Sequence, residues 1–270
     1  MVEKRKEEWY MRIIVCIKQV PDTQDIKIDP ETNTLIREGV PSIMNPLDAY
    51  AVEEAIRIKE KSGGEVIAIS MGPPQAEDVL REAIGMGADS AILVTDMRFK
   101  GADTLATSYT LKTTIERIGD YNLIMCGKQA IDGDTAQVGP EIAELLGIPQ
   151  VTYVRKIEEI DERRAVVERM TEWGYQVIET PLPAVFTVVK EINMPRLPSL
   201  RGKMKARSVE IPHWGLDDIK TDEKKIGLLG SPTKVIEIFT PERKKAGEKF
   251  MGTKEEAAEK IVKFLKNLSL

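Results

Sequence analysis

A rhythm that holds from residue 11 to residue 150 constrains this chain more than any single motif. Short apolar runs rich in Ile and Val alternate with segments of helical pattern: MRIIVCIK (11–18), EVIAISM (65–71), SAILVTD (90–96) and YNLIMCG (121–127). Gly, Pro or Asp bounds them, and runs apolar on both faces suit strands of a parallel sheet covered by helices. The helices between them have legible ends. Asn45 stands where a helix cap belongs, with Pro46 at the first helical position and Asp48 adding negative charge to the first turn. That helix is expected to run to about Lys61 and stop at Gly63–Gly64. A second is predicted over 75–86, with Val79, Ala83 and Met86 on one face. A third starts at Asp103 or Thr104 and ends before Gly119, and a fourth runs from Thr135 to Leu146, closed by Gly147 and Pro149. The alternation predicts an α/β fold: a doubly wound, mostly parallel sheet of Rossmann-like type.

After residue 150 the pattern changes. VTYVRKIEEI, RRAVVERM, YQVIET and AVFTVVK are short strand-like pieces, expected to extend the sheet as antiparallel strands. Residues 191–216 are basic and punctuated by proline, with five positive charges between Arg196 and Arg207. A stretch of this length without periodicity is read as a binding loop. Residues 231–252 are polar and mixed. A closing amphipathic helix over about 254–268 repeats Ala257, Ile261, Phe264 and Leu265 on one face.

Composition removes several classes of function. A net charge of −5 lacks the basic excess of a nucleic-acid binder, and no apolar stretch approaches the roughly 18 residues of a membrane span. The first ten residues, MVEKRKEEWY, have no apolar signal-peptide core and read as a polar extension, with Met11 an alternative start. Cytoplasmic residence is the resulting expectation. The two cysteines, Cys16 and Cys126, lie inside apolar runs and read as buried and unpaired. With one histidine, His213, taken as an ordinary loop residue, neither a His-ligated metal site nor a Ser/His/Asp triad has material to build from.

Ligands of open parallel sheets bind beyond the carboxyl ends of the strands. Four segments are expected there: Cys16 to Gln19, the helix start at Asn45–Asp48, the Met71–Gly72–Pro73 turn, and the loop Gly127–Val138. Two of them offer a helix N-terminus, which favours an anion. A fifth, DMRFKGADTLATS (96–108), contributes Gly101, Asp103, Thr104, Thr107 and Ser108, small or polar residues that allow close approach to a diphosphate or ribose. The loop after Cys126, GKQAIDGDTAQV, has no Walker lysine and no glycine fingerprint, yet carries two acids. Asp132 and Asp134 have no histidine or nucleophile beside them. They are read as residues that fold the turn and cap the following helix, while backbone N–H groups near Thr135, Ala136, Gln137 and Val138 face the anion.

The combination VCIKQVPD, SIMNPLDAYAVEEAIRIKE, ISMGPPQAEDVLREAIGMGAD, LIMCGKQAIDGDTAQVGP and LPAVFTVVKEINMPRLPSLRGKMKA, in that order, resembles the β subunit of electron transfer flavoproteins over nearly all of residues 11–270. The resemblance implies a heterodimer whose α subunit holds the electron-transferring FAD, and an adenine nucleotide held by β in a fold like that of the adenine-nucleotide α-hydrolases. In the simpler branch of the family that nucleotide is AMP. In the bifurcating branch, which includes the Fix-type complexes, it is a second FAD that takes a hydride from NADH and sends its two electrons along separate routes. DMRFKGADTLATSYTL and GDTAQVGP make this chain similar to the bifurcating branch, so FAD is expected, with AMP as the alternative.

By the same resemblance, adenosine sits against Cys16, Asn45, Pro46, Leu47, Asp48 and Met71. The phosphates meet Gly127, Lys128, Gln129, Ala130, Ile131, Asp132, Gly133, Asp134, Thr135, Ala136, Gln137 and Val138, and Gly101, Asp103, Thr104, Thr107 and Ser108 lie nearer the flavin. Leu200, with Arg201, matches the leucine by which the family's recognition loop anchors partner dehydrogenases. Ferredoxin or quinone-reducing subunits are further implied partners, in the cytoplasm or within a membrane-associated complex. The organisation that follows is a polar extension (1–10), a nucleotide-binding domain with added strands (11–190), and a recognition loop and C-terminal arm docking on the α subunit (191–270). The rival class is an ATP-binding protein of the α-hydrolase architecture. It needs a catalytic lysine or a Ser-Gly-Gly-x-Asp-type loop, and the sequence has neither.

Overall fold

The computed structural model describes residues 10–22, 28–29, 34–35, 41–236 and 249–267. The chain divides into a compact unit from Met1 to Ile236 and a second from Glu237 to Leu270. Along the first unit run β1 (Met11–Cys16), β2 (Gln19–Pro21), β3 (Ile28–Asp29), β4 (Thr34–Leu35), β5 (Ser42–Met44), α1 (Pro46–Ser62), β6 (Gly64–Met71), α2 (Glu77–Met86), β7 (Ser90–Val94), α3 (Thr104–Ile118) and β8 (Leu123–Gly127). There follow α4 (Val138–Leu146), β9 (Gln150–Ile160), β10 (Arg164–Thr171), β11 (Gly174–Pro181), β12 (Ala184–Val188), α5 (Leu200–Ser208), β13 (His213–Trp214) and α6 (Leu216–Ile219). The second unit contributes α7 (Lys254–Asn267).

The main sheet has nine strands in the order β11-β10-β9-β12-β8-β1-β6-β7-β13. The chain starts in the middle at β1, steps outward through β6 and β7, then returns across β1 to β8. All of these neighbours are parallel. One apolar layer joins α1 and α2 to one face through Val52, Ala55, Ile56, Leu80 and Ile84. A second joins α3 and α4 to the other through Leu111, Ile115, Ile142 and Ala143. The sheet is therefore doubly wound, as the alternation in the sequence predicts, and the direction of winding reverses between β1 and β8.

Several local expectations are corrected. AVFTV is buried along its whole length and runs parallel to both β8 and β9, so β12 is an interior strand, while β9, β10 and β11 pair antiparallel. An unbroken apolar run with no alternation belongs inside a parallel sheet, whatever its neighbours in sequence. The basic segment is not structureless. Ser199 caps α5, its hydroxyl accepting from Gly202 N–H at 2.9 Å, and the helix lies so close to α2 that a Cβ on Gly202 would sit 2.1 Å from the Gly85 carbonyl oxygen. Only Ala206 of α5 is buried, so the apolar period that would have announced the helix is missing. His213 lies in the edge strand β13, parallel to β7, and its Nε2 meets Glu77 Oε2 at 2.7 Å. Residues 191–236 thus belong to the same compact unit as the sheet.

The closing helix forms as expected, with Ile261, Phe264 and Leu265 exposed. Its expected last residue, 268, and most of the N-terminal extension lie outside the described residues. Among the described residues no helix is long and apolar enough to cross a membrane, and no group of three His, Cys, Asp or Glu side chains could hold a metal ion.

Candidate nucleotide site

The winding reversal between β1 and β8 opens a crevice at the carboxyl ends of these strands, the position where doubly wound sheets take ligands. Cys16 and Cys126 are register partners at this point, both buried. Burial, reinforced by the charge of Asp48, pushes the Cys16 thiol up to about 12, and Cys126 is also raised well above the usual thiol value. They are packing groups under the crevice.

The start of α1 holds the crevice together. Asp48 is 5% exposed, and its two oxygens accept the backbone N–H groups of Lys18 (2.8 Å) and Gly127 (3.0 Å). One carboxylate therefore joins the turn after β1 to the end of β8. Burial raises its pKa to about 7, against the opposing influence of the Asn45 side chain, these two N–H donors and the Lys18 ammonium. Asn45 occupies the N-cap position of α1, with Pro46 following, but its side chain makes no cap bond. Instead Asn45 Nδ2 donates to the Gln129 carbonyl (3.0 Å) and its Oδ1 accepts Ile131 N–H (3.2 Å). The expected capping role is thus replaced by a grip on the loop.

The loop from Gly127 to Val138 is built around its backbone. Asp134 and Ala136 have left-handed φ of 53° and 55°, and helix α4 begins at Val138, three residues later than expected, because a left-handed Ala136 cannot continue a helix. Nor do the two acids cap it: the N-cap residue is Gln137, without a side-chain cap bond. Asp134 accepts from Gln129 Nε2, and Asp132 is paired with Lys18 Nζ at 2.6 Å. Both acids fold the loop, one inward on itself and one onto the turn after β1. Left-handed Ala136 followed by right-handed Gln137 is the alternation that turns successive N–H groups toward an anion. Val138 and Gly139 add the free N–H groups of a helix start, and Pro140 has none to add. A Cβ at Gly139 would lie 2.5 Å from Thr187 Cγ2, so glycine is needed for α4 to approach β12 this closely.

The fifth segment meets the same loop. Thr104 Oγ1 lies 3.1 Å from both Gln137 Oε1 and Glu141 Oε1, and Ser108 Oγ donates to Glu141 Oε2 at 2.8 Å. The starts of α3 and α4 are thereby bolted together. Asp103 is committed elsewhere. It caps α3 through Ala106 N–H (3.1 Å), and its other oxygen accepts both donors of Thr233. Burial pushes its pKa up, but these bonds outweigh burial and lower it. Gly101 turns at φ 77° above Leu228, and Thr107 is half-buried on the first turn of α3. At the end of β6, Met71 packs beside Trp214, and Gln19 Nε2 bonds the Gln75 carbonyl at 3.0 Å, tying the turn after β1 to that edge.

All five sequence segments therefore converge on one edge. Glu141 and Gly139 lie at the same edge although the sequence reading did not mark them, since a glutamate inside a helix turn has no local signature. Leu200 and Arg201 lie apart from it at the start of α5, Leu200 with 78% of its surface exposed. Of the described lysines beside the loop, Lys18 is held by Asp132, and Lys128 Nζ lies 5.3 Å from the centre of the Tyr153 ring. Such an edge can hold an anion on backbone donors.

Residues 32–219 match the family model described as electron transfer flavoprotein domain. The chain belongs to the electron transfer flavoprotein family. It is 55% identical over 94% of its length to the electron transfer flavoprotein subunit beta of Thermoanaerobacterium thermosaccharolyticum, covering 98% of that protein. It is 52% identical to the caffeyl-CoA reductase–Etf complex subunit CarD of Acetobacterium woodii, over 90% of this chain and 93% of that one. To protein FixA of Azorhizobium caulinodans it is 47% identical, over 86% and 85%. The chain is a β subunit of this electron-transport family, and an α-subunit partner follows from that.

Proposed function

We propose that this subunit binds FAD at the β1/β8 crevice and works in flavin-based electron bifurcation with its α subunit. The observation that carries the reading is the backbone-lined loop after β8, whose Lys128 lies over the Tyr153 ring, joined to the start of α3 by the bonds of Thr104 and Ser108 to the start of α4. A site extended in that direction accommodates a diphosphate and a second ring system beyond the adenosine. The FixA and CarD relatives support the same reading, since the Fix-type complexes form part of the bifurcating branch that this sequence resembles.

When bound, the flavin supplies acceptance of a hydride from NADH and release of two electrons along separate routes. The protein's part is to hold and shape. Asn45 and Asp48 fix the loop, the N–H groups of Ala136 to Gly139 face the diphosphate, and the ends of β1 and β6 contact the adenosine. Thr104 and Thr107 line the path toward the ring system. Leu200 and Arg201 on α5 dock electron donors or acceptors such as a dehydrogenase, ferredoxin or a quinone-reducing subunit. The closing arm docks on the α subunit, and the pair works in the cytoplasm, free or on a membrane-associated complex.

Mass spectrometry of nucleotides released from the co-expressed pair tests this. Two FAD per pair is the expected result. One FAD and one AMP would move the chain to the simpler branch, and a bound ATP that turns over would overturn both flavoprotein readings.

A further inference from the structure

Asp48 is a carboxylate out of water with a donor on each oxygen. Lys18 N–H and Gly127 N–H belong to two different strand ends, and neither can be satisfied by the other if Asp48 withdraws. Both are backbone donors with fixed direction, so the arrangement requires an acceptor at each oxygen. The ionised carboxylate is a strong acceptor at both oxygens. A neutral carboxyl keeps one good acceptor, while its hydroxyl oxygen accepts more weakly and its O–H needs an acceptor of its own. The groups facing Asp48 are the thiols of Cys16 and Cys126, the Asn45 amide, and the Lys18 ammonium, itself tied to Asp132 at the loop tip.

We propose that Asp48 is a proton-gated positioning residue: ionised, it clasps the ends of β1 and β8 and holds the Gly127–Val138 loop in its anion-facing form, and protonation opens the clasp and loosens the nucleotide. This rests on the nucleotide site proposed above. The sign follows from linkage. If the closed loop needs the ionised form, nucleotide binding is accompanied by proton release, and retention weakens as pH falls. Burial lifts the carboxyl to about 7, which puts the opening in the neutral range instead of far below it.

The test uses the purified αβ pair. Release of the β-site nucleotide is followed by filtration and mass spectrometry from pH 6 to 8.5, and hydrogen exchange is measured over residues 16–19 and 127–138. Wild type is expected to release nucleotide about tenfold faster at pH 6 than at pH 8.5, with faster exchange, once corrected for its intrinsic pH dependence, in both segments. Asp48→Asn, which keeps the shape but offers only one acceptor, is expected to release quickly at every pH with a flat profile. Lys18→Met keeps the backbone N–H but removes the ammonium that favours the ionised form, so its profile should move to higher pH. A merely structural role for Asp48 would leave the Lys18→Met midpoint where it is. The proposal is overturned if Asp48→Asn keeps the wild-type profile, or if neither segment changes its exchange with pH. Should wild type hold no nucleotide in this subunit, the site reading fails on its own. The exchange data then decide the clasp: pH-dependent protection lost in Asp48→Asn supports it, and unchanged protection overturns it.

Discussion

Substituting Gly127 by alanine tests the clasp from the other side. A Cβ there would lie 2.5 Å from Asp48 Oδ1, 2.6 Å from the Leu47 carbonyl carbon and 2.8 Å from Asp48 N. Atoms pack best at roughly 3.5–4.0 Å, so all three contacts are impossible without movement. Two of the three obstacles are backbone atoms in the first turn of α1, which cannot rotate aside. Forced over-packing costs about 1–3 kcal/mol. The same movement breaks the 3.0 Å bond from Gly127 N–H to Asp48. A bond to a charged acceptor is worth about 1.5–3 kcal/mol. Restricting the unfolded chain offsets about 0.4–1 kcal/mol. The net expectation is a loss of roughly 2–5 kcal/mol, which at about 2–4 °C per kcal/mol lowers the melting midpoint by roughly 5–15 °C. Calorimetry of the pair measures this, with bound nucleotide quantified on the same sample. Gly133→Ala is the control, because a Cβ there meets nothing within 4 Å, and it should melt as wild type does or slightly higher. If Gly127→Ala melts within about 2 °C of wild type and keeps its nucleotide, the close approach of α1 to β8 does not govern the site.

Two further outcomes follow from the same framework. Arg196 bonds Glu53 at 2.8 Å and Glu60 at 2.6 Å, and Glu53 is 2% exposed with Arg57 and the Arg196 backbone N–H as its further partners. Burial alone would raise Glu53, but the bonds from Arg196 and Arg57 hold it below its ordinary value, so the stability it contributes is present above that value and lost as pH falls through the folded one. Arg196→Ala should therefore cost about 2–4 kcal/mol in urea melts at pH 7 and progressively less as pH falls below the ordinary glutamate range, and a cost that does not change with pH would contradict the ion-pair account. In the native protein, Cys16 and Cys126 should resist iodoacetamide at pH 8, both becoming labelled on unfolding in urea. Rapid labelling of either in the folded state, read by mass spectrometry, would show that the floor of the crevice opens.

The sequence disclosed what depends on period and misled where structure depends on contact. Strands β1, β6, β7 and β8 announce themselves because a covered parallel strand must be apolar on both faces, and α1 to α3 because their ends carry Pro, Gly or Asp. Helix α5 was invisible because its packing rests on Gly202 against the Gly85 carbonyl and on Gly85 against Pro198. Glycine leaves no apolar stripe. The delayed start of α4 had the same cause in another form. Left-handed Ala136 breaks the helix, and alanine gives no warning of that conformation.

Asn45 and Asp48 show why a residue's place at a helix start is easier to read than its partners. Both stand where a helix start wants Asn or Asp, and local rules assign them to capping and to the helix dipole. In the fold each is spent on a segment about eighty residues away: Asp48 on Gly127, Asn45 on Gln129 and Ile131. Asp132 is likewise bound to Lys18, more than a hundred residues earlier in the chain. These are the bonds that close the crevice at the winding reversal, and each links elements that only the β1–β8 pairing brings together. The two carboxylates in a phosphate loop cease to be a contradiction once their partners are known. Asp132 pairs with Lys18 and Asp134 pins Gln129, so both acids are engaged by side chains of the loop and of the turn after β1. On the proposed reading, such a loop retains its ligand by shape, and its hold is set from the first turn of α1.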